Sequence, residues 1–174
     1  MLKLCLVCLI VALTSVASGE VTVGGDAPDF TVQQQVTLDC FKGQQPLVLM
    51  FSATGCPWAR RELPPMQELQ DADLDLAVLV INSERNRDAD FLASFMAQNE
   101  FTFPTAPDPT LENAKAYEVA HTPTFFLIDK EGTIAFRHEG SGADLRAALI
   151  EDATELAQEG TVSRTEAVNV EGKG

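Results

Sequence analysis

From Pro46 onward the chain switches repeatedly between two hydrophobic patterns, and each change of period marks an element. "PLVLMFSA" is an unbroken apolar run of strand length, and "LDLAVLVIN" is a second. Runs of this kind read as strands buried on both faces. Between them Leu63, Met66 and Leu69 recur at three-residue spacing, which predicts one face of a helix. Pro64 and Pro65 must kink or delay that helix, because neither has an N–H to give to its ladder. Asp88 is placed to cap a further helix with an apolar stripe of Phe91, Leu92, Phe95 and Met96. After the proline-rich "FTFPTAPDPT" a short helix is expected from Leu111 to Tyr117, followed by a hairpin of "TFFLID", the turn "KEG" and "TIAFRHEG". Leu145, Leu149, Ala153 and Leu156 mark a C-terminal helix. Upstream, "DFTVQQQVTLDCFKG" holds two short β-prone runs that end at Gly43.

Strands alternating with helices and closed by a hairpin and a helix imply an α/β architecture with a mixed sheet. There is no internal repeat, no glycine-rich phosphate loop and no histidine-rich metal spacing.

The first residues change the picture in another way. "MLKLCLVCLIVALTSVASGE" combines a basic Lys3, an apolar core from Leu4 to Leu13, and small residues at Ala17, Ser18 and Gly19. The core is about half the length needed to span a bilayer, so residues 1–19 are expected to be a cleavable export signal, with an uncleaved anchor as the competing reading. The folded domain is then 20–158, and 159–174, which lack periodicity, a flexible tail. Export places the protein in a secreted or periplasmic compartment, with no stable membrane insertion after cleavage. The 174-residue chain is 45% hydrophobic, enough for one domain with a real core. Its net charge of -14 is spread along the chain and argues against nucleic acid or an anionic membrane surface as partner.

Loss of the signal removes Cys5 and Cys8 and leaves Cys40 and Cys56. An oxidising compartment suggests a disulfide between them. Geometry opposes it: Cys40 precedes the first buried strand and Cys56 follows it, a separation of roughly 20 Å, whereas a bridge needs Cα atoms within about 7 Å. Cys40 is expected to be a half-buried structural residue.

Cys56 carries the candidate chemistry. It stands at a strand end and just before a helix, where unpaired N–H groups and the helix dipole favour thiolate. Pro57 suits the first helical turn. Arg60 and Arg61 add positive charge one turn away, acting on the thiol if they point back and otherwise solvated. Trp58 is either an exposed apolar lip beside the thiol, suited to an extended peptide, or a cover over the helix start.

With these residues assembled, "DAPDFTV", "LVLMFSATGCPWARRELPPM" and "NEFTFPTAPDPTLENAKAYEVAHTPTFFLIDKEGTIAFRHEG" resemble the thioredoxin-like redoxins, especially the extracytoplasmic TlpA-type thiol-disulfide oxidoreductases and the AhpC/TSA-like redoxins. The likeness runs from about Gly24 to Leu156. It implies a three-layer α/β fold of the thioredoxin kind, with a central mixed sheet flanked by helices and an inserted helix before a cis-proline loop. It also implies a cis peptide before Pro123, with Thr122 and Pro123 lying against Cys56 and receiving substrate backbone.

The departures matter equally. The family pattern is W-C-x-x-C; here Gly55 precedes Cys56, and Ala59 stands where the second, resolving cysteine would be. Met50 holds the place of the buried acid of thioredoxins proper. Cys56 can still exchange with a disulfide, but another thiol must release the adduct. The alternative is attack on a peroxide to give a sulfenic acid, although the peroxiredoxin P-x-x-x-T-x-x-C pattern is not matched. His121 precedes the Thr122–Pro123 loop, where the related Sco-type copper chaperones carry a metal-binding histidine. Those proteins use C-x-x-x-C, and Arg60 occupies the second cysteine position here. A thiolate and one imidazole make a poor metal site, so His121 is left as a thiol-tuning or ordinary surface residue, and no metal or cofactor is expected.

Two functions therefore stand. One is a monothiol thiol-disulfide oxidoreductase or antioxidant redoxin acting through Cys56 on a protein or small-molecule thiol or disulfide. The other is a non-catalytic module that binds extended polypeptide. Oligomeric state is not legible.

Overall fold

The centre of the molecule is a strand with no polar face. In the computed structural model, which describes residues 20–32 and 36–161 and the backbone of Val168–Val170, strand β3 (Leu47–Ser52) is buried at every position. It can be, because both its edges and both its faces are covered. It pairs in parallel with β4 (Ala77–Asn82), from Leu47 opposite Ala77 to Ser52 opposite Asn82. It pairs antiparallel with β6 (Thr124–Ile128), from Leu47 opposite Ile128 to Phe51 opposite Thr124. Strand β5 (Thr105–Pro107) extends the sheet beyond β4, and β7 (Ile134–Glu139) extends it beyond β6. A separate ribbon joins β1 (Thr31–Val32) to β2 (Val36–Thr37).

Successive strand residues point to opposite faces, and the core divides accordingly. Val48, Met50, Val78, Val80, Phe125 and Leu127 lie in one layer with Met66, Leu69, Leu149, Ala153 and Leu156. Helices α2 (Leu63–Asp71) and α5 (Ala143–Glu159) therefore cover that face. Leu47, Leu49, Phe51, Leu79, Ile81 and Phe126 lie in the other, with Phe30, Leu38 and Tyr117. That face is closed by the N-terminal segment and the region of α4 (Glu112–Ala116). The result is a three-layer α/β fold with a mixed sheet.

The element boundaries follow local chemistry. Helix α3 (Ala89–Gln98) starts where the Asp88 carboxylate accepts the Phe91 N–H at 2.9 Å. Helix α5 ends at Gly160, whose φ of 75° lets its N–H turn back onto the Leu156 carbonyl at 2.8 Å. In the β6–β7 turn the Asp129 carboxylate accepts the N–H groups of Glu131 and Thr133 at 3.0 and 2.8 Å.

The expected tail differs from the structure. Glu159 is still helical, and Val168–Val170 form a strand, β8, parallel to β7. A short segment with two β-branched valines supplies pairing to an edge that would otherwise present unpaired backbone groups. The full sheet order is β5-β4-β3-β6-β7-β8. The export signal read in residues 1–19 and the remainder of the tail fall outside the described residues. Among those described, no helix is long and apolar enough to cross a membrane.

Candidate active site

Cys56 sits where β3 turns into a helix. Its N–H donates to the Ala53 carbonyl at 3.0 Å, and its own carbonyl accepts the Arg60 N–H at 3.0 Å, so it is the N-cap of α1 (Pro57–Arg61). Pro57 takes the first helical position. Helix α1 ends at Glu62, where the Glu62 N–H reaches only three residues back to Ala59. Pro64 and Pro65 lie in the first turn of α2, where a missing N–H removes no helical bond. The break that the prolines imply is thus at Glu62.

The other wall of the site comes from β6. Its register with β3 places the start of β6 beside the end of β3, and the Thr122–Pro123 bond just before it is cis. The Cys56 thiol donates to the Thr122 carbonyl at 3.4 Å. The Thr124 hydroxyl, donating to the His121 carbonyl at 2.7 Å, closes this loop on itself. Pro123 is buried, Thr122 is half-buried and the His121 side chain is exposed. Cys56, Thr122 and Pro123 are therefore brought together, with His121 on the outer rim.

The two arginines do not converge on the thiol. Arg60 lies over the Phe95 ring at 5.9 Å and Arg61 over the Trp58 ring at 4.7 Å. Trp58 is 57% exposed. Ala59 is fully buried in the layer that contains Met50, Leu63 and Met66. The position of a resolving thiol is filled by a methyl group facing the core.

Sequence reasoning missed Glu84. Its carboxylate accepts the Thr54 N–H and the Thr54 hydroxyl, both at 2.6 Å, the Gly55 N–H at 3.2 Å and the Asn82 side-chain amide at 3.2 Å. Asn82 also accepts the Thr54 N–H at 3.0 Å. Burial pushes the Glu84 carboxyl up, but the hydrogen bonds from Thr54, Asn82 and Gly55 outweigh it and hold the group below its ordinary value. The loop that carries Cys56 is thus clamped from β4. A Cβ on Gly55 would come within 2.9 Å of the carboxylate, so the residue that replaces the family tryptophan lets Glu84 approach. No local motif announces this; only the pairing of Ser52 with Asn82 brings the partners together.

A second acid is buried nearby in sequence. Glu62 forms a forked ion pair with Arg146 of α5, at 3.2 and 3.3 Å, and Arg146 also donates to the Arg61 carbonyl at 3.3 Å. This joins the α1–α2 junction to α5.

Cys40 is exposed, not half-buried as expected, because it ends a single 3-10 turn, Leu38–Cys40, in which Leu38 is the residue that packs inward. The segment is tied by Gly43 to the carbonyl of Lys130, beyond the far end of β6. Cys40 and Cys56 therefore lie at opposite ends of the sheet, and both are free thiols. Among the described residues no group of three or more His, Cys, Asp or Glu side chains is placed to hold a metal ion.

The chain is similar to known proteins in sequence and in fold. The AhpC/TSA family profile matches residues 23–137. The thiol-disulfide oxidoreductase ResA of Bacillus thuringiensis subsp. konkukian is 32% identical over 119 residues, covering 66% of this chain and 68% of its own. The thioredoxin-like protein YneN of Bacillus subtilis is 33% identical over 124 residues, covering 68% and 72%. The crystal structure of StoA from Bacillus subtilis superposes with a TM-score of 0.58 at 24% identity, over 72% of this chain and 96% of that one, a likeness of fold. With its three-layer fold, its strand-end cysteine and its facing cis-proline loop, the chain belongs to the AhpC/TSA family of thioredoxin-like redoxins.

Proposed function

We propose that this protein is an exported oxidoreductase that works by thiol–disulfide exchange through Cys56 alone. The observation that carries the reading is the placement of a half-exposed sulfur against the Thr122 carbonyl, with a buried Ala59 in place of a second thiol. The Cys56 thiolate attacks one sulfur of a disulfide R–S–S–R′; the S–S bond breaks, R′S⁻ leaves, and a mixed disulfide with R remains on Cys56. An external thiolate R″S⁻ then attacks the R sulfur, forming R–S–S–R″ and returning the Cys56 thiolate. Electrons balance without net oxidation of the protein, so any reducing equivalents come from the external thiol. Names of relatives as thiol-disulfide oxidoreductases support this chemistry, and the apolar N-terminal segment with its small-residue end supports export.

The exposed Trp58 beside the thiol favours a second reading, in which the cis-proline surface binds extended polypeptide and Cys56 is dispensable. Intact-mass analysis of the Cys40→Ser protein after incubation with oxidised glutathione separates the two, because Cys40 is itself an exposed thiol. A single stable adduct on Cys56, released only by added thiol, is the expected result. No adduct, or an alkylation rate against pH that follows an ordinary thiol near about 8.5, sinks the exchange reading and leaves the binding module.

A further inference from the structure

The acidic excess of the chain is absent on one side of Cys56. Against 26 acids there are only 12 lysines and arginines, yet Arg60, Arg61, Arg85 and Arg87 all lie on the two segments that flank the Cys56 turn. Glu84 holds those segments together through Thr54 and Gly55. Three of the four guanidinium groups are laid on aromatic rings: Arg87 over Phe91 at 4.1 Å, Arg61 over Trp58 at 4.7 Å and Arg60 over Phe95 at 5.9 Å. Phe91 and Phe95 stack on each other at 6.4 Å with planes 18° apart. An unbroken ladder, Arg60–Phe95–Phe91–Arg87, thus runs from α1 onto the N-terminal half of α3. A guanidinium lying on a ring keeps its N–H edge free and loses little freedom on meeting a carboxylate. Three of the four acids on these segments are committed, Glu62 to Arg146, Glu84 to the loop it clamps and Asp88 to the cap of α3, while Asp90 is exposed.

From this juxtaposition we infer that the Arg–aromatic face beside Cys56 docks an acidic polypeptide segment that carries the disulfide to be exchanged. The inference rests on the exchange chemistry proposed above. The ladder extends across two helices, longer than a small thiol can follow, and the exposed Trp58 adds apolar surface at the start of α1. The guanidinium groups left without a carboxylate partner also favour an acidic partner over a basic one.

The test uses peptides of equal length with one cysteine activated as its 2-thiopyridyl disulfide, flanked by Glu, Ser or Lys residues, and a protein carrying Cys40→Ser. Cys56 attacks the peptide sulfur, the S–S bond breaks, and thiopyridone is released, its nitrogen taking the proton; its absorbance gives the rate. Rates are divided by those of a small free thiol with the same peptides. The acidic peptide should react about tenfold faster than the basic one at low ionic strength, with the ratio falling towards one at about 1 M salt. Arg87→Gln and Arg85→Gln should each lower that ratio about threefold, and Arg87→Lys should retain it. Equal rates for the three peptides, or an Arg87→Gln ratio unchanged from the parent, overturns the docking surface. Glutathione presented as its own 2-thiopyridyl disulfide and reacting as fast as the acidic peptide overturns a polypeptide as the occupant. Failure of all three peptides sinks the exchange reading instead. The surface is then read by Trp58 fluorescence titrated with a serine version of the acidic peptide, and absence of a salt-sensitive change overturns it independently.

Discussion

The sulfur of Cys56 lies 3.4 Å from the carbonyl oxygen of Thr122, on a strand end and a loop separated by 66 positions in the chain. A thiol can donate to that oxygen and a thiolate cannot, so ionisation of Cys56 removes this hydrogen bond. Cys56→Ser should keep the fold, with stability changed by no more than about 1 kcal/mol because the hydroxyl retains a donor. Exchange with oxidised glutathione should vanish. Activity surviving in the Cys56→Ser, Cys40→Ser double variant would show that neither thiol is the nucleophile.

Ala59→Cys tests the empty half of the motif. The side chain at 59 is fully buried, so a reduced thiol introduced there should cost about 1–3 kcal/mol through overpacking. Oxidation should join the introduced sulfur to Cys56 in a disulfide at the start of α1 and recover that loss. The melting temperature of the oxidised and reduced forms, with mass spectrometry for the bridge, checks both points. A reduced variant as stable as the parent and unable to close the bridge would mean that position 59 points away from Cys56.

Glu84 should make the active-site loop sensitive to acid. Its carboxyl is held below the ordinary value of 4.5 in the fold, so its contribution is present above that value and is lost as pH falls through the folded one. Amide exchange at Thr54 and Gly55, corrected for the intrinsic rate at each pH, should be slow near neutrality and quicken as pH falls below the ordinary carboxylate range. In Glu84→Gln it should be faster throughout and show a weaker acid dependence. Identical profiles for the two proteins would remove the clamp.

Arg146→Met leaves Glu62 almost fully buried without its cation. Loss of one partner of such a pair costs on the order of 3 kcal/mol, read from urea denaturation. Adding Glu62→Gln should recover part of it. Additive losses in the double variant would show that the two side chains do not interact energetically.

What was legible in the chain was whatever depends on period and short-range chemistry. The runs at Leu47–Ser52 and Ala77–Asn82 could be read as strands because continuous burial leaves no polar position. Asp88 could be read as a cap because its partner is three residues away. The family likeness added what period could not, the meeting of Cys56 with the loop at Pro123. Glu84 stayed invisible because Thr54 and Gly55 are 30 and 29 positions distant and meet it only through strand register. Cys40 was misjudged because burial within one 3-10 turn depends on which residue faces inward, and that residue is Leu38. Val168–Val170 looked like tail because three residues have no period; an edge strand borrows its order from the neighbour it joins.

The two free thiols among the described residues stand at opposite poles of the sheet, and that polarity limits how copies of this chain can be joined by oxidation. A single bond from Cys56 of one molecule to Cys40 of the next uses two different surfaces, a head-to-tail contact. It leaves an unused Cys40 at one end and an unused Cys56 at the other, ready for the next copy. Oxidised at high concentration, the protein should therefore grow head to tail, and a non-reducing gel should show a ladder of multimers that Cys40→Ser cuts to dimers.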